Sequence, residues 1–384
     1  MTLKNKKLLF LVSEDWYFRS HRLPIARAAR DAGALVSVAT RVRDAGDLIK
    51  AEGFRLFPLG LSRSGRNPFQ DLRQIYDLYR LYRRERPDIV HHVALKPSLY
   101  GSIAARLAGV PHIVNAFAGM GFVFISNGLF ARTIRPVLSW LFRYLLNRDN
   151  TLTIVQNADD AKLFVERIGV APQRLRIIRG SGVDVDRFKP AAEPRHAETP
   201  VAVCVSRMLW DKGVGELVDA AKLLKSRGVP VRVRLVGPVD DNPASIPKSQ
   251  LDEWTRAGVV DVAGPSDDIP GVYAAADIAV LPSYREGLPK SLLEAAAAGL
   301  PLVATDAPGC REICRDGKTG LLVPVQSVAP LADALARLAN DPALRAELGA
   351  NARRAAVEEF SEAQVVAETL DLYRSLLPDT VEHR

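Results

Sequence analysis

Two short stretches in the second half of the chain place charge beside glycine at the ends of apolar runs. The first is Val205-Ser206-Arg207-Met208-Leu209-Trp210-Asp211-Lys212-Gly213. Its apolar run ends at Ser206, and two cations, Arg207 and Lys212, follow before a helical segment. A diphosphate carries enough charge to need such cations when no metal is present. The second stretch is Pro282-Ser283-Tyr284-Arg285-Glu286-Gly287-Leu288-Pro289-Lys290-Ser291-Leu292-Leu293-Glu294-Ala295. An apolar strand ends at Leu281, a Gly/Pro turn follows, and a helix starts near Pro289. That order puts Glu286 at a strand terminus with a helix N-terminus directly after it, and the amides of a helix start suit a phosphate or partial anion. Glu294, about one further turn along, can accept hydrogen bonds from a pair of hydroxyls. Taken singly, one stretch reads equally as a solvated loop between strand and helix, the other as a surface turn before an ordinary acidic helix residue. What raises both is their company, at the carboxyl ends of strands in one domain.

The elements that must position these residues alternate along the whole chain. Strands are expected at Leu8–Val12, Leu35–Ala39, Ile89–Val93, His112–Ala116 and Thr151–Gln156. Helices fall between them at Leu23–Ala32, Asp47–Glu52, Phe69–Glu85, Ser98–Ala108 and Leu129–Leu146. Ala191–Pro200, rich in Pro, Ala and Glu and without periodicity, reads as a linker. Alternation then restarts with strands Val201–Ser206, Val231–Val236, Val259–Ala263, Ile278–Leu281 and Leu302–Thr305. The helices are Val214–Arg227, Leu251–Ala257, Ile269–Ala275, Lys290–Ala298, Ala329–Asn340, Pro342–Glu359 and Glu362–Leu377. The pattern predicts an α/β chain of two doubly wound, parallel-sheet domains facing each other across a cleft, with ligands at the carboxyl ends of strands.

Composition agrees with two domains. A chain of 384 residues exceeds what a single core usually supports. With 52 basic and 44 acidic residues the formal charge is +8, which favours anionic partners: nucleotides, nucleic acid or anionic headgroups. Nucleic acid is the weakest of these, because the basic residues are dispersed and no recognition module is visible. Three cysteines, Cys204, Cys310 and Cys314, argue against a disulfide framework and for a reducing compartment. No second Cys/His pair accompanies Cys310 and Cys314, so they do not read as a zinc site. Asp184-Val185-Asp186 invites a metal reading, but its glycine-rich connection reads better as structure, and no metal is expected. His91-His92 ends a strand and reads as structural more than as cleft-facing. The apolar start Leu8–Val12 is too short for a signal peptide and breaks at Ser13-Glu14-Asp15. No stretch is long and uncharged enough to span a bilayer.

The combined motifs resemble the retaining glycosyltransferases of family 4, which have the GT-B fold of two Rossmann-like domains. The resemblance rests on Glu286…Glu294, Ser206-Arg207…Lys212-Gly213, Gly182-Val183-Asp184…Phe188-Pro190 and Pro308-Gly309-Cys310-Arg311-Glu312…Gly317-Lys318-Thr319-Gly320-Leu321-Leu322. It implies an acceptor domain over 1–190, a nucleotide-sugar domain over 196–360, and a last helix over 361–384 that returns to the first domain. It also implies that Arg207 and Lys212 hold the donor diphosphate and join Glu286 as the catalytic set. Glu286 with the amides of Gly287 and Leu288 would hold the transferred sugar, and Glu294 the ribose. Gly264, Asp268 and Ile269 would line the base, with Pro289, Ser291 and Leu292 completing the donor site. No cofactor beyond the donor is implied.

The amino-terminal half narrows the likeness. Arg22-Leu23-Pro24, Ser62-Arg63-Ser64…Asn67-Pro68-Phe69, Lys96…Gly101-Ser102-Ile103-Ala104-Ala105 and Gly119-Met120-Gly121 look like bacterial enzymes that extend sugars on a polyprenyl-diphosphate carrier. That implies a UDP-sugar donor, a polyprenyl-diphosphate-linked acceptor met by Arg22, Lys96, Asn115 and Gly119, and work on the cytoplasmic, inner face of the plasma membrane. Many members of the wider family carry a His after the fourth amino-terminal strand. Here the loop is Asn115-Ala116-Phe117-Ala118-Gly119, which leaves the residue facing the reacting carbon unassigned. The membrane side of this expectation falls on Gly128–Asn150, where Arg132, Arg135, Arg143 and Arg148 alternate with Trp140, Phe142 and several Leu, and no acid occurs before Asp149. An apolar face with cationic flanks suits an anionic headgroup boundary; an Arg-rich domain helix facing solvent is the alternative. Two rival functions are a UDP-sugar epimerase of related architecture, which needs acid/base carboxylates, and a silent membrane scaffold, which intact Arg207, Lys212, Glu286 and Glu294 oppose.

Overall fold

The computed structural model describes residues 2–60, 68–119, 129–191, 198–240 and 244–377. Ser62-Arg63-Ser64, Asn67, Met120-Gly121, Gly128 and most of the expected linker lie outside them. The chain forms two compact units, one of Met1–Ser181 with Val365–Arg384, the other of Gly182–Gln364.

The first unit holds seven parallel strands: β1 (Lys7–Glu14), β2 (Leu35–Arg41), β3 (Arg55–Pro58), β4 (Ile89–Val93), β5 (His112–Ala116), β6 (Thr151–Val155) and β7 (Leu175–Ile177), in the order β3-β2-β1-β4-β5-β6-β7. Every residue of β4 and β6 is buried, as expected of central strands covered on both faces. Leu8 stands between Val36 and Ile89, which fixes the register of the centre. Helices close the crossovers; Leu95–Ala108 ends on Gly109 with φ +72°, where a left-handed residue costs least without a Cβ. The final helix, Glu362–Leu376, places Val365, Leu372 and Tyr373 in this unit's core, beside Phe10 and Val93. The Tyr373 hydroxyl lies 2.5 Å from His91 Nδ1, which ties the chain's end to β4.

The second unit holds six parallel strands: β8 (Val201–Val205), β9 (Arg232–Val236), β10 (Asp261–Gly264), β11 (Ile278–Leu281), β12 (Leu302–Thr305) and β13 (Gly320–Val323), in the order β10-β9-β8-β11-β12-β13. Strand order therefore reverses between β8 and β11, and such a reversal opens a crevice at the carboxyl ends of the two strands. Both charged stretches leave the sheet at this point, Arg207–Lys212 after β8 and Glu286 after β11.

The expected strands and long helices are present with small boundary differences. The helix expected from Ser98 starts at Leu95, and that expected at Asp47 starts at Gly46. Several short elements were not anticipated: the helices Asp15–His21, Ala158–Leu163 and Cys310–Ile313, and strands β3, β7 and β13. Each is too short to show a period, and β3 and β7 are edge strands with exposed positions that dilute an apolar run.

Candidate functional site

Backbone contacts between strand ends build the site before any side chain enters. Ser206 N–H donates to Val236 O at 3.0 Å, and Gly237 follows with φ +146°. A Cβ on Gly237 would lie 1.8 Å from Ser206 O, so the loops after β8 and β9 approach as closely as they do because this residue is glycine. Lys212 ends a short 3₁₀ turn, Trp210–Lys212, that Gly213 caps with φ +70°. A Cβ there would lie 2.0 Å from Pro282 O, so the β8 loop seats directly on the β11 loop. Tyr284 N–H donates to Asp211 O at 2.9 Å and Glu286 N–H to Pro308 O at 3.1 Å. The Thr305 hydroxyl donates to Ser283 O, and the buried Ser283 hydroxyl donates to Asp211 O at 3.3 Å.

On this frame the charges meet. Lys212 Nζ lies 2.5 Å from Glu286 Oε1, with the two side chains 16% and 14% exposed. Arg207 Nη1 donates to Asp240 Oδ2 at 2.5 Å, and this pair is more open, at 41% and 27%. Glu294 projects from the helix Lys290–Ala297 and is 13% exposed, with Lys290 Nζ 3.9 Å away. Burial pushes its carboxyl up to about 7, against the pull of Lys290 and Arg187. Such a group is poised to ionise when a ligand's hydroxyls arrive to satisfy it. Cations at a strand-order reversal, a carboxylate at a strand end and a buried carboxyl one helix turn on can together hold an anionic, hydroxyl-bearing ligand.

Other expected donor residues take more structural positions. Asp268 caps the helix Ile269–Ala274 by accepting from Gly271 N–H at 2.9 Å. Gly264 has φ +73° and its carbonyl accepts from Gly237 N–H at 2.8 Å. Ser291 offers its carbonyl to the Tyr273 hydroxyl at 2.8 Å. Leu288, Pro289 and Leu292 are buried, and the two leucines belong to the core. Gly287 is buried too, and a Cβ on Gly309 (φ +79°) would lie 2.5 Å from its carbonyl. Sequence reasoning missed Asp240; its signal was Gly237-Pro238-Val239-Asp240, another loop at a strand's carboxyl end.

The residues expected to meet the acceptor differ in exposure, Asn115 and Arg22 being buried and Lys96 and Gly119 partly exposed. Asn115 is fully buried, its Oδ1 2.9 Å from His92 Nδ1 and accepting from the Ser102 hydroxyl at 3.0 Å. His92 Nε2 in turn lies 3.1 Å from the Tyr82 hydroxyl, so this is an internal network between sheet and helices. Burial holds the His92 imidazole down at about 4 and His91 well below its ordinary value, so both are neutral structural groups. Arg22 is also buried, with Nη1 3.4 Å from Gly180 O. Lys96 is partly exposed, 3.6 Å from Asp71 and over the Tyr100 ring, and Gly119 has φ +129°. Asp184 Oδ1 accepts from the N–H groups of Asp186 and Arg187, the bonding of a turn. Among the described residues no group of His, Cys, Asp or Glu is arranged to hold a metal ion. The three cysteines are buried thiols, that of Cys204 pushed up to about 11 by burial.

Helix Leu129–Leu146 divides its apolar residues between two faces. Phe142 and Leu146 pack with Phe117, Val155 and Phe164 in the core, which removes them from the set expected to enter a membrane. Val137, Trp140 and Tyr144 face outward, Trp140 67% exposed and stacked on Tyr144 at 6.1 Å. Arg106 and Arg148 lie 4.7 and 4.2 Å from the Tyr144 ring, while Arg132 and Arg143 are exposed and Arg135 half-buried. No helix among the described residues is long and apolar enough to cross a membrane.

Comparison with known proteins returns one class. Residues 199–341 match the family model described as glycosyl transferases group 1, and residues 7–157 the one described as glycosyl transferase 4-like. An N,N'-diacetylbacillosaminyl-diphospho-undecaprenol alpha-1,3-N-acetylgalactosaminyltransferase of Campylobacter jejuni is 28% identical over 92% of this chain and 94% of its own length. A UDP-Gal:alpha-D-GlcNAc-diphosphoundecaprenol alpha-1,3-galactosyltransferase of Escherichia coli is 26% identical over 79% of each chain. Among solved structures, a Rickettsia africae glycosyltransferase superposes with TM-score 0.79 at 17% identity, over 98% of this chain and 100% of its own. Anabaena HepE, solved with UDP and glucose, superposes with TM-score 0.76 at 20% identity, over 97% and 100%.

Proposed function

The chain belongs to the group 1, family 4-like glycosyltransferases of GT-B fold, and from that premise we propose that it moves a hexosyl group from a UDP-sugar to a polyprenyl-diphosphate-linked saccharide. The observation that supports the donor half is that two cations, Arg207 and Lys212, stand at the strand-order reversal, with Glu286 2.5 Å from Lys212. The acceptor half is supported by the Campylobacter jejuni and Escherichia coli relatives, whose names specify undecaprenyl-diphosphate sugars. The epimerase alternative falls away with the transferase class.

In this reading the diphosphate lies between Arg207 and Lys212 and the ribose hydroxyls bond to Glu294. The sugar is oriented by Glu286 and the main chain at Gly287 and Leu288. The anomeric C–O bond breaks with its electron pair passing to the distal phosphate oxygen, and the two cations stabilise that developing charge. The acceptor hydroxyl oxygen forms the new C–O bond on the same face, and its proton passes to the leaving phosphate. Configuration is thereby retained, and fixed cations take the place of a metal ion. Catalysis takes place on the inner face of the plasma membrane, where the outward row Val137, Trp140 and Tyr144 with exposed Arg132 and Arg143 meets anionic headgroups.

The deciding experiment is turnover against a panel of UDP-sugars with synthetic polyprenyl-diphosphate saccharides, followed by assignment of the product linkage. One UDP-sugar and lipid-linked acceptor should give an α-linked product from an α-linked donor, and EDTA should leave most of that rate intact. An inverted product, or strict dependence on manganese or magnesium, sinks the corresponding half of the mechanism.

A further inference from the structure

Arg207 stands in the loop after β8, but its carboxylate partner comes from the loop after β9. The two loops are laced together. Met208 N–H donates to Pro238 O at 2.9 Å, Trp210 N–H to Ala244 O at 3.0 Å and Ile246 N–H to Met208 O at 2.9 Å. The Ser245 hydroxyl accepts from Asp240 N–H at 3.2 Å and donates to Met208 O at 3.3 Å. Asp240 is therefore carried on a framed loop, and its 2.5 Å contact with Arg207 is part of how the site is built.

The consequence is a charge balance. Arg207 and Lys212 bring two positive charges, and Asp240 and Glu286, each 2.5 Å away, bring two negative ones. A guanidinium has five N–H donors, so Arg207 can keep Nη1 on Asp240 while offering others to an anion. The anion then binds with the Asp240 carboxylate close by. In a nucleotide-sugar both phosphates are esterified, whereas the released nucleoside diphosphate ends in a phosphate with a second ionisation near about 6. Asp240 repels that product more strongly than it repels the donor.

We infer that Asp240 is a charge-balancing residue, acting through Arg207, that weakens the clamp's hold on the nucleoside diphosphate product and so favours its exchange for fresh donor. The inference rests on the reading of Arg207 and Lys212 as the diphosphate clamp. Asp240→Asn keeps an acceptor for Arg207 and removes the charge. By titration calorimetry at low salt it should bind UDP about fivefold more tightly, with a smaller gain for the UDP-sugar, and leave uridine binding unchanged. The gain should shrink as salt rises, and UDP should become a stronger product inhibitor. Unchanged or weaker UDP binding with uridine binding intact overturns the inference, as does an equal gain for UDP and UDP-sugar. If uridine binding is lost, Asp240→Ser serves in its place with the same expectation; loss of uridine binding in both makes Asp240 a structural part of the loop and also overturns it. Arg207→Gln separates the two levels: weaker UDP binding upholds the clamp whatever Asp240→Asn does, and unchanged UDP binding removes the clamp and this inference together.

Discussion

Arg207→Ala and Lys212→Ala each remove a charge-assisted contact worth roughly 1.5–3 kcal/mol, and kcat/KM should fall by at least about tenfold in both. The variants should differ in stability. Arg207 is the more exposed of the two, so its loss should barely move the melting temperature. Loss of Lys212 leaves Glu286 largely buried without its counter-ion, so melting should drop measurably. Near-normal turnover in either variant ends the clamp assignment. Glu294 gives a pH signature. Its folded carboxyl sits at about 7 against an ordinary value of 4.5, so the folded chain holds a proton that the unfolded chain releases. Stability from this group is full below the unfolded value and is lost as pH rises towards about 7, by on the order of 3 kcal/mol in all. Glu294→Gln mimics the protonated form and should raise the melting temperature at pH 8 but not at pH 5. A ligand that bonds the ionised form adds the opposite sign: UDP-sugar affinity should climb from pH 6 to pH 8 and lose that slope in Glu294→Gln. Sequence alone marked Arg207, Lys212, Glu286 and Glu294, because the two stretches keep company after strands of one domain and match the motifs of one family. It could not show which carboxylate answers which cation, since Asp240 and Glu286 reach the clamp through tertiary folding. Nor could it show that Asn115, expected to meet the acceptor, is buried with its side-chain oxygen 2.9 Å from His92 Nδ1.

At the scale of elements, strand ends are held at close range by glycines rather than by large side chains. Gly237 and Gly213 combine positive φ with a missing Cβ that would overlap a facing carbonyl at 1.8 and 2.0 Å. Gly237→Ala must push the loops after β8 and β9 apart. It should lower stability by about 2–4 kcal/mol and weaken UDP binding, because Arg207 and Asp240 ride on those loops. Gly258→Ala is a comparison with milder backbone strain: its φ (+60°) is left-handed, and nothing lies within 4 Å of its added Cβ. It should cost less and leave UDP binding unchanged; equal losses in the two variants would show that backbone strain alone, and not loop spacing, is at work. Long elements such as β1 and the helix Leu129–Leu146 were legible because their apolar residues run continuously or at helical period. β13 was not, because the four residues Gly320–Val323 are too few to show a period before β12 lies beside them.

For the whole molecule, the proposed lipid-linked acceptor calls for a surface that meets a membrane, since no helix among the described residues is long and apolar enough to cross one. In the proposed reading that surface is the outward row of helix Leu129–Leu146, with exposed Trp140, Val137 and Tyr144 flanked by Arg132 and Arg143. Each cation near an anionic surface contributes on the order of 1 kcal/mol, and that share weakens with salt. The aromatic share is insensitive to salt. Replacing Arg132, Arg135 and Arg143 together with Gln should therefore reduce binding to anionic liposomes most at low salt. Trp140→Ser should reduce it equally at low and high salt. Arg143 adds a complication, because its aliphatic stem packs on Gly169, so Gln shortens a structural contact as well as removing charge. Activity on a short, water-soluble acceptor reports that damage. It should survive in both variants, because the donor clamp belongs to the other unit, while turnover of the polyprenyl acceptor on liposomes falls. Parallel loss on both acceptors points to misfolding. Unchanged liposome binding in a folded triple variant returns the helix to the alternative reading, an Arg-rich domain helix whose outer face meets only water.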